Sequence, residues 1–71
     1  MPYSTNDELP AKIRHALPAH AQDIFRSAFN AAWRQYADAE PSRLEEIANR
    51  VAWAAVKRRY QKVGGVWIAC G

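Results

Sequence analysis

His15, His20 and Asp23 are the only side chains in this sequence that suggest catalytic chemistry. On a helix, His20 and Asp23 would share one face, as a general base and its orienting carboxylate do. No nucleophile is placed to complete such a set, and 71 residues around one core leave little room for a cleft. We therefore expect no catalytic residues and no enzymatic activity. The alternative role for His20 and Asp23 is to fix the Leu17–Pro18 junction by hydrogen bonds.

A metal site is not expected, because metal ligands normally cluster as Cys-x-x-Cys or His-x-x-x-His. Here His15 and His20 are five residues apart, and the single cysteine, Cys70, lies at the chain end. We predict no metal ligands and no cofactor. One cysteine cannot form an internal disulfide, and the sequence does not open on a secretory signal, so a cytoplasmic location is expected.

Basic side chains in the C-terminal half form the strongest functional pattern. The net charge is only +3, but the segment from Arg43 to Lys62 holds six basic and two acidic residues. Three of the six recur every seven residues along a predicted helix, and three follow at its end: Arg43, Arg50, Lys57, Arg58, Arg59 and Lys62. The pattern indicates either a surface for an acidic partner or a solvated face that complements the helix dipole. Charge alone does not choose among acidic protein, nucleic acid and anionic lipid.

Aromatic residues could form a base-stacking platform, but their helical spacing favours a core. This set comprises Phe25, Phe29, Trp33, Tyr36, Trp53 and Tyr60. Trp67 differs because it lies on a predicted terminal strand with one side open to solvent. We therefore include Trp67 among the candidate partner-binding residues.

Three helices, one short and two long, are predicted to position these residues. Leu9-Pro10 introduces a short helix over residues 10–16, and Leu17-Pro18 ends it, because a residue before proline is disfavoured in the α region. The second helix opens at Pro18, and its apolar face is Ala21, Ile24, Phe25, Ala28, Ala32 and Trp33.

The third helix follows the connector Ala37–Pro41. A Ser-x-x-Glu capping box at Ser42 and Glu45 predicts its start. Its expected core stripe is Leu44, Ile47, Ala48, Val51 and Ala55, with Trp53, Val56 and Tyr60 on an adjoining face.

A hairpin is predicted at the C-terminus, where residues 60–63 and 66–68 flank Gly64-Gly65, a pair suited to a type I′ turn. An isolated hairpin is marginally stable. We therefore expect the extended arm of residues 1–6 to add a third antiparallel strand.

Chain length predicts one domain over residues 1–71, since so short a chain cannot supply two cores. Its apolar stretches are well short of the roughly 20 residues that cross a bilayer. No membrane span and no small-molecule substrate are expected.

Two strings of residues, LPAHAQDIF at 17–25 and VAWAAVK at 51–57, closely resemble the ChaB family of small bacterial proteins, which has viral relatives. Pro2-Tyr3, Leu9-Pro10 and Tyr60 extend the resemblance over nearly the whole chain. The resemblance implies three helices with a small sheet, similar to part of a cyclin box, and no catalysis. It also implies regulation of a membrane calcium or sodium/proton antiporter, while the viral relatives suggest DNA binding.

The connector between the second and third helices departs from the family pattern. Longer members carry a highly charged insert there, whereas this chain keeps only Asp38-Ala39-Glu40-Pro41. Two carboxylates fall short of the roughly six to eight oxygen ligands that calcium prefers. Cation sensing through this connector is therefore not expected.

Three hypotheses follow. The first is a non-enzymatic regulator that binds an acidic macromolecule, either an antiporter or another protein, through the basic side of the third helix. The second is a nucleic-acid-binding accessory protein, although +3 is a low charge for phosphate recognition and no reading motif is evident. The third is a structural protein that homodimerises through the Trp67 hairpin, so that the chain is a monomer or a weak homodimer.

Overall fold

The prolines determine where the helices of this protein begin. In the computed structural model, which describes residues 3–70, a 3-10 helix spans Asn6–Glu8 and is followed by α1 (Ala11–Ala16), α2 (Ala19–Gln35) and α3 (Pro41–Arg59). Leu17 is extended before Pro18, with φ −112° and ψ 138°, so the predicted break between α1 and α2 is confirmed. The two helices begin one residue later than predicted, after Pro10 and Pro18.

The start of α3 differs from the prediction. Pro41 occupies the first turn and Glu40 is the N-cap residue, without a side-chain cap bond. Because the fixed φ of proline suits the first helical position, the helix begins before Ser42. Ser42 and Glu45 thus lie inside the helix, and the predicted capping box is wrong.

The core lies between α2 and α3. Its α2 residues are Ala21, Phe25, Phe29 and Ala32, and its α3 residues are Leu44, Ala48, Ala52 and Val56. The α3 row has a strict spacing of four residues, which forms one ridge on a helix surface. Ala48 and Ala52 are fully buried, and their small side chains let the two helices approach closely.

This row corrects the predicted α3 stripe. Val51 was expected in the core but is 37% exposed, while its neighbour Ala52 is buried. A hydrophobicity pattern gives more weight to valine than to alanine, whereas close helix packing selects the smaller residue. Leu9, Ile13 and Leu17, predicted from the same spacing of four, do lie in the core.

A β-hairpin ends the fold, with β1 (Tyr60–Val63) antiparallel to β2 (Val66–Ala69). Gly64 and Gly65 have φ of 58° and 83°, and a type I′ turn requires positive φ at both positions. The mostly α architecture of three helices and a small hairpin is therefore confirmed.

The N-terminal arm does not add a strand. Within residues 3–70 the sheet has two strands only, and Tyr3 packs on α2 instead. The Tyr3 backbone N–H donates to Asn30 Oδ1 at 2.8 Å, and Asn30 Nδ2 donates to the Tyr3 carbonyl at 2.8 Å. One side-chain amide thus satisfies both backbone groups that a strand partner would have paired. Met1 and Pro2, the first residues of the predicted strand, lie outside the described range.

Candidate partner-binding surface

The basic stripe is the outward face of α3. Arg43, Arg50 and Lys57 are all exposed. At about 100° per residue, their mean direction is opposite that of the buried row formed by Leu44, Ala48, Ala52 and Val56. The same contact that buries the alanines therefore turns the stripe towards solvent. We call these three residues the α3 stripe.

Few of these cations are neutralised within the described part of the chain. Arg50 forms an ion pair with Glu46 at 3.0 Å, and both side chains are largely exposed, at 76% and 68%. Such a pair contributes little to stability because water screens it. The other five predicted basic residues form no ion pair with a carboxylate of residues 3–70. Their charge is therefore available to a partner.

A cleft of about 300 Å³ lies where α3 meets the hairpin. Its lining residues are His20, Arg58, Arg59, Tyr60, Ala69 and Cys70. The Cys70 backbone N–H donates to the Arg59 carbonyl at 2.9 Å, which closes the base of the hairpin onto the helix end. The predicted residues Arg58 and Arg59 are thus brought together with Cys70, which sequence reasoning had left without a role.

His20 and Asp23 do not fix the Leu17–Pro18 junction. The His20 ring lies 3.1 Å from the Tyr60 hydroxyl, measured from Nδ1, and so links α2 to the hairpin. Asp23 Oδ1 accepts from Asn6 Nδ2 at 2.6 Å. The junction is held by Gln22, whose Nε2 donates to the carbonyls of Leu17 and Arg14 at 2.9 and 3.2 Å. Because His20 contacts Tyr60 and Asp23 contacts Asn6, these bonds do not support the interpretation of His20 and Asp23 as a catalytic pair.

Trp67 is half-buried, because one ring face packs on Trp53 with 5.6 Å between centroids and a 32° tilt. Trp53 in turn contacts Phe25 edge-on at 5.3 Å, Phe25 stacks on Phe29 at 6.2 Å, and Phe29 meets Tyr3 at 5.0 Å. We call these five rings the aromatic row. It confirms the core interpretation of the helical aromatics, except for Tyr36, which is exposed.

Sequence reasoning missed the aliphatic residues that surround Trp67. Val63, Val66 and Ile68 are all exposed. The signal was present in the register, because residues next to a buried strand residue point to the opposite side. Sequence reasoning also missed how completely the charges are divided along the chain. All seven acidic residues lie at or before Glu46, and five basic residues follow it.

The Tyr3 side chain is partly buried against the core. Burial raises the pKa of Tyr3 above its usual value, and the nearby Glu45 carboxylate raises that pKa further. The raised pKa of Tyr3 therefore follows from the packing of the N-terminal arm against the helices.

Two further properties bear on function. In the part of the chain that the structure describes, no three His, Cys, Asp or Glu residues are grouped so that they could hold a metal ion. Among residues 3–70, no helix combines the length and apolarity needed to cross a bilayer.

Comparison with known proteins gives the family. The family model described as ChaB matches residues 9–69, which include both long helices and the hairpin. This chain belongs to the ChaB family. The match confirms the resemblance carried by residues 17–25 and 51–57.

Individual ChaB proteins agree with this assignment. Proteins of Escherichia coli strain K12 and of Shigella flexneri, each named "Putative cation transport regulator ChaB", are 54% identical over 66 residues, covering 87% of this chain and 87% of theirs. The NMR solution structure of a ChaB protein with the same description is 47% identical, covers 99% of this chain and 100% of its own, and superposes with a TM-score of 0.87. The fold described above is therefore the ChaB fold.

Proposed function

We propose that this protein is a non-enzymatic, cytoplasmic regulator of a calcium or sodium/proton antiporter, which it binds through the α3 stripe with Arg58, Arg59 and Lys62. The link to cation transport comes from the names of its ChaB relatives. The acidic character of the contacted surface is inferred from this chain's own charges.

The observation that supports this surface best is the orientation of the α3 stripe. Arg43, Arg50 and Lys57 extend along more than three turns of one rigid helix, opposite the core. A partner can neutralise all three without disturbing the packing of α2 on α3. Complementary charges of this kind increase association rates and select partners.

The test uses a purified calcium or sodium/proton antiporter in vesicles and measures protein binding and cation exchange together. Arg50→Glu with Lys57→Glu should abolish binding, and added salt should weaken wild-type binding. The matched control is Lys12→Glu with Arg34→Glu, two exposed residues on α1 and α2 that give the same change in net charge. Binding that survives the α3 double reversal, or that the control pair abolishes equally, excludes this surface.

A nucleic-acid-binding role is the second candidate, favoured by the five basic and no acidic residues after Glu46. Titration of labelled protein with duplex DNA at low salt distinguishes it from the first. Shifts along Arg43, Arg50, Lys57 and Arg58 that vanish as salt rises, with a log-log slope of several units, support DNA binding. The absence of shifts at about 50 mM salt excludes it.

A further inference from the structure

The hairpin has one face that is apolar except for Gln61 and is largely exposed in the described chain. Val63 pairs with Val66 and Gln61 with Ile68, so these four residues share one face, which we call the outer hairpin face. Val63, Val66 and Ile68 are 53%, 60% and 43% exposed. The opposite face carries Tyr60 and Trp67, which pack towards the core. The exposure of these three large aliphatic side chains therefore follows from the alternation of the strands.

The turn of this hairpin is open to solvent. No atom beyond the chain neighbours lies within 4 Å of the point where a Cβ would sit on Gly64 or Gly65, so the turn projects into solvent. The cleft lies instead at the base of the hairpin, beside Arg58 and Arg59. A fluid bilayer surface can receive a protruding tip of this kind.

The charge around the hairpin complements an anionic surface. Lys62 precedes Val63 in β1 and pairs with Trp67 on the opposite face, Arg58 and Arg59 lie at the hairpin base, and no acidic residue follows Glu46. If the turn enters a bilayer first, all three cations stay behind it at the level of the headgroups. A bilayer containing anionic lipids offers an apolar interior to the aliphatic tip and negative headgroups to the cations around it. Nucleic acid would neutralise the cations but would leave the aliphatic side chains without an apolar partner. A second copy of this chain would bring its own cations close to these, and like charges repel.

We propose that the outer hairpin face is a peripheral docking site for an anionic lipid bilayer, into whose headgroup region the side chains of Val63, Val66 and Ile68 insert. Lys62, Arg58 and Arg59 hold the hairpin there by attraction to the headgroups. Insertion of three aliphatic side chains gives weak and reversible attachment. The proposed antiporter contact shares Arg58, Arg59 and Lys62 with this site, but it also requires the α3 stripe, whereas lipid docking requires the aliphatic side chains of the outer hairpin face.

The experiment measures partition of the full chain onto vesicles. Mixed phosphatidylcholine and phosphatidylglycerol vesicles should bind the protein, and pure phosphatidylcholine vesicles should not. Val66→Thr with Ile68→Thr keeps β-branched strand formers but removes apolar surface, and should weaken binding to the mixed vesicles about tenfold. Lys62→Glu should weaken it at least about fivefold, the effect of removing one basic residue from a lipid surface.

The controls make the same kinds of substitution at exposed positions outside the hairpin. Val51→Thr removes an exposed methyl group from α3, and Lys12→Glu reverses a charge on α1, so both should leave partition unchanged. Circular dichroism verifies that each variant is folded. The proposal is overturned if the wild type does not bind anionic vesicles. It is also overturned if the variant with both threonines binds as tightly as the wild type, because adsorption is then purely electrostatic. Loss of antiporter binding through Arg50 and Lys57 leaves this result unaffected, so the two proposals fail separately.

Discussion

Asn30→Ala is expected to release the N-terminal arm from α2. The wild-type amide makes two hydrogen bonds of 2.8 Å to the backbone of Tyr3. Each such bond contributes about 1 kcal/mol net. Alanine returns about 0.5 kcal/mol of helix propensity, so the free energy of unfolding should fall by about 1.5 kcal/mol. For a domain of this size, that corresponds to a decrease in Tm of about 6 to 12 °C.

Asn49→Ala is the matched control for this change. Asn49 lies on α3 and its Nδ2 donates only to the Glu45 carbonyl of the same helix, at 3.1 Å. Its replacement gains the same propensity without freeing the arm, so its stability should be equal to or above that of the wild type. Urea unfolding gives the free energies, and hydrogen exchange of the Tyr3 amide reports the arm itself. If Asn30→Ala matches Asn49→Ala in both measurements, the arm is not anchored by this amide.

Three further predictions concern packing, pH and assembly. Ala52→Leu should lower the free energy of unfolding by about 1 to 3 kcal/mol in urea titrations, because the α2–α3 contact has no room for it, while Val51→Leu on the exposed side should have little effect. Because the pKa of Tyr3 is raised by folding, the unfolded chain ionises first and stability should fall as pH rises above about 10. Tyr3→Phe should make that alkaline decline shallower in urea midpoints compared across the range, and an unchanged slope would contradict the assignment. Sedimentation at two concentrations should show a monomer or a weak homodimer, and a stable dimer at the lower concentration would require a larger interface than the four-residue strands provide.

The helical framework could be predicted from sequence because local chemistry determines it. Pro18 keeps Leu17 out of the α region whatever the tertiary structure around it. Gly64 and Gly65 permit the positive φ angles that a type I′ turn requires. The direction of the α3 stripe was equally predictable, since a seven-residue spacing returns to nearly the same side of any α-helix. These features do not depend on what packs against them.

The predictions failed where tertiary contacts determine which residue is buried or which groups form hydrogen bonds. Nothing local distinguishes Asn30 from other polar residues on α2, and its bonds to Tyr3 exist only because α2 passes beside the arm. Ala52 replaced Val51 in the core because the distance between two helices, rather than hydrophobicity, selected the residue. The His20 ring likewise meets Tyr60 only through the return of the hairpin. The cleft and the outer hairpin face are products of that same return.

The contact between Trp53 and Trp67 also gives the molecule an optical signature. Two indoles 5.6 Å apart and tilted by 32° are close enough for their strong ultraviolet transitions to couple, and such coupling produces a paired band in circular dichroism. Since one indole belongs to α3 and the other to β2, the band exists only while the hairpin is seated against the helix. The band overlaps the helical signal, so it is isolated as the difference between the wild type and Trp67→Phe, and its amplitude reports hairpin detachment without any attached dye.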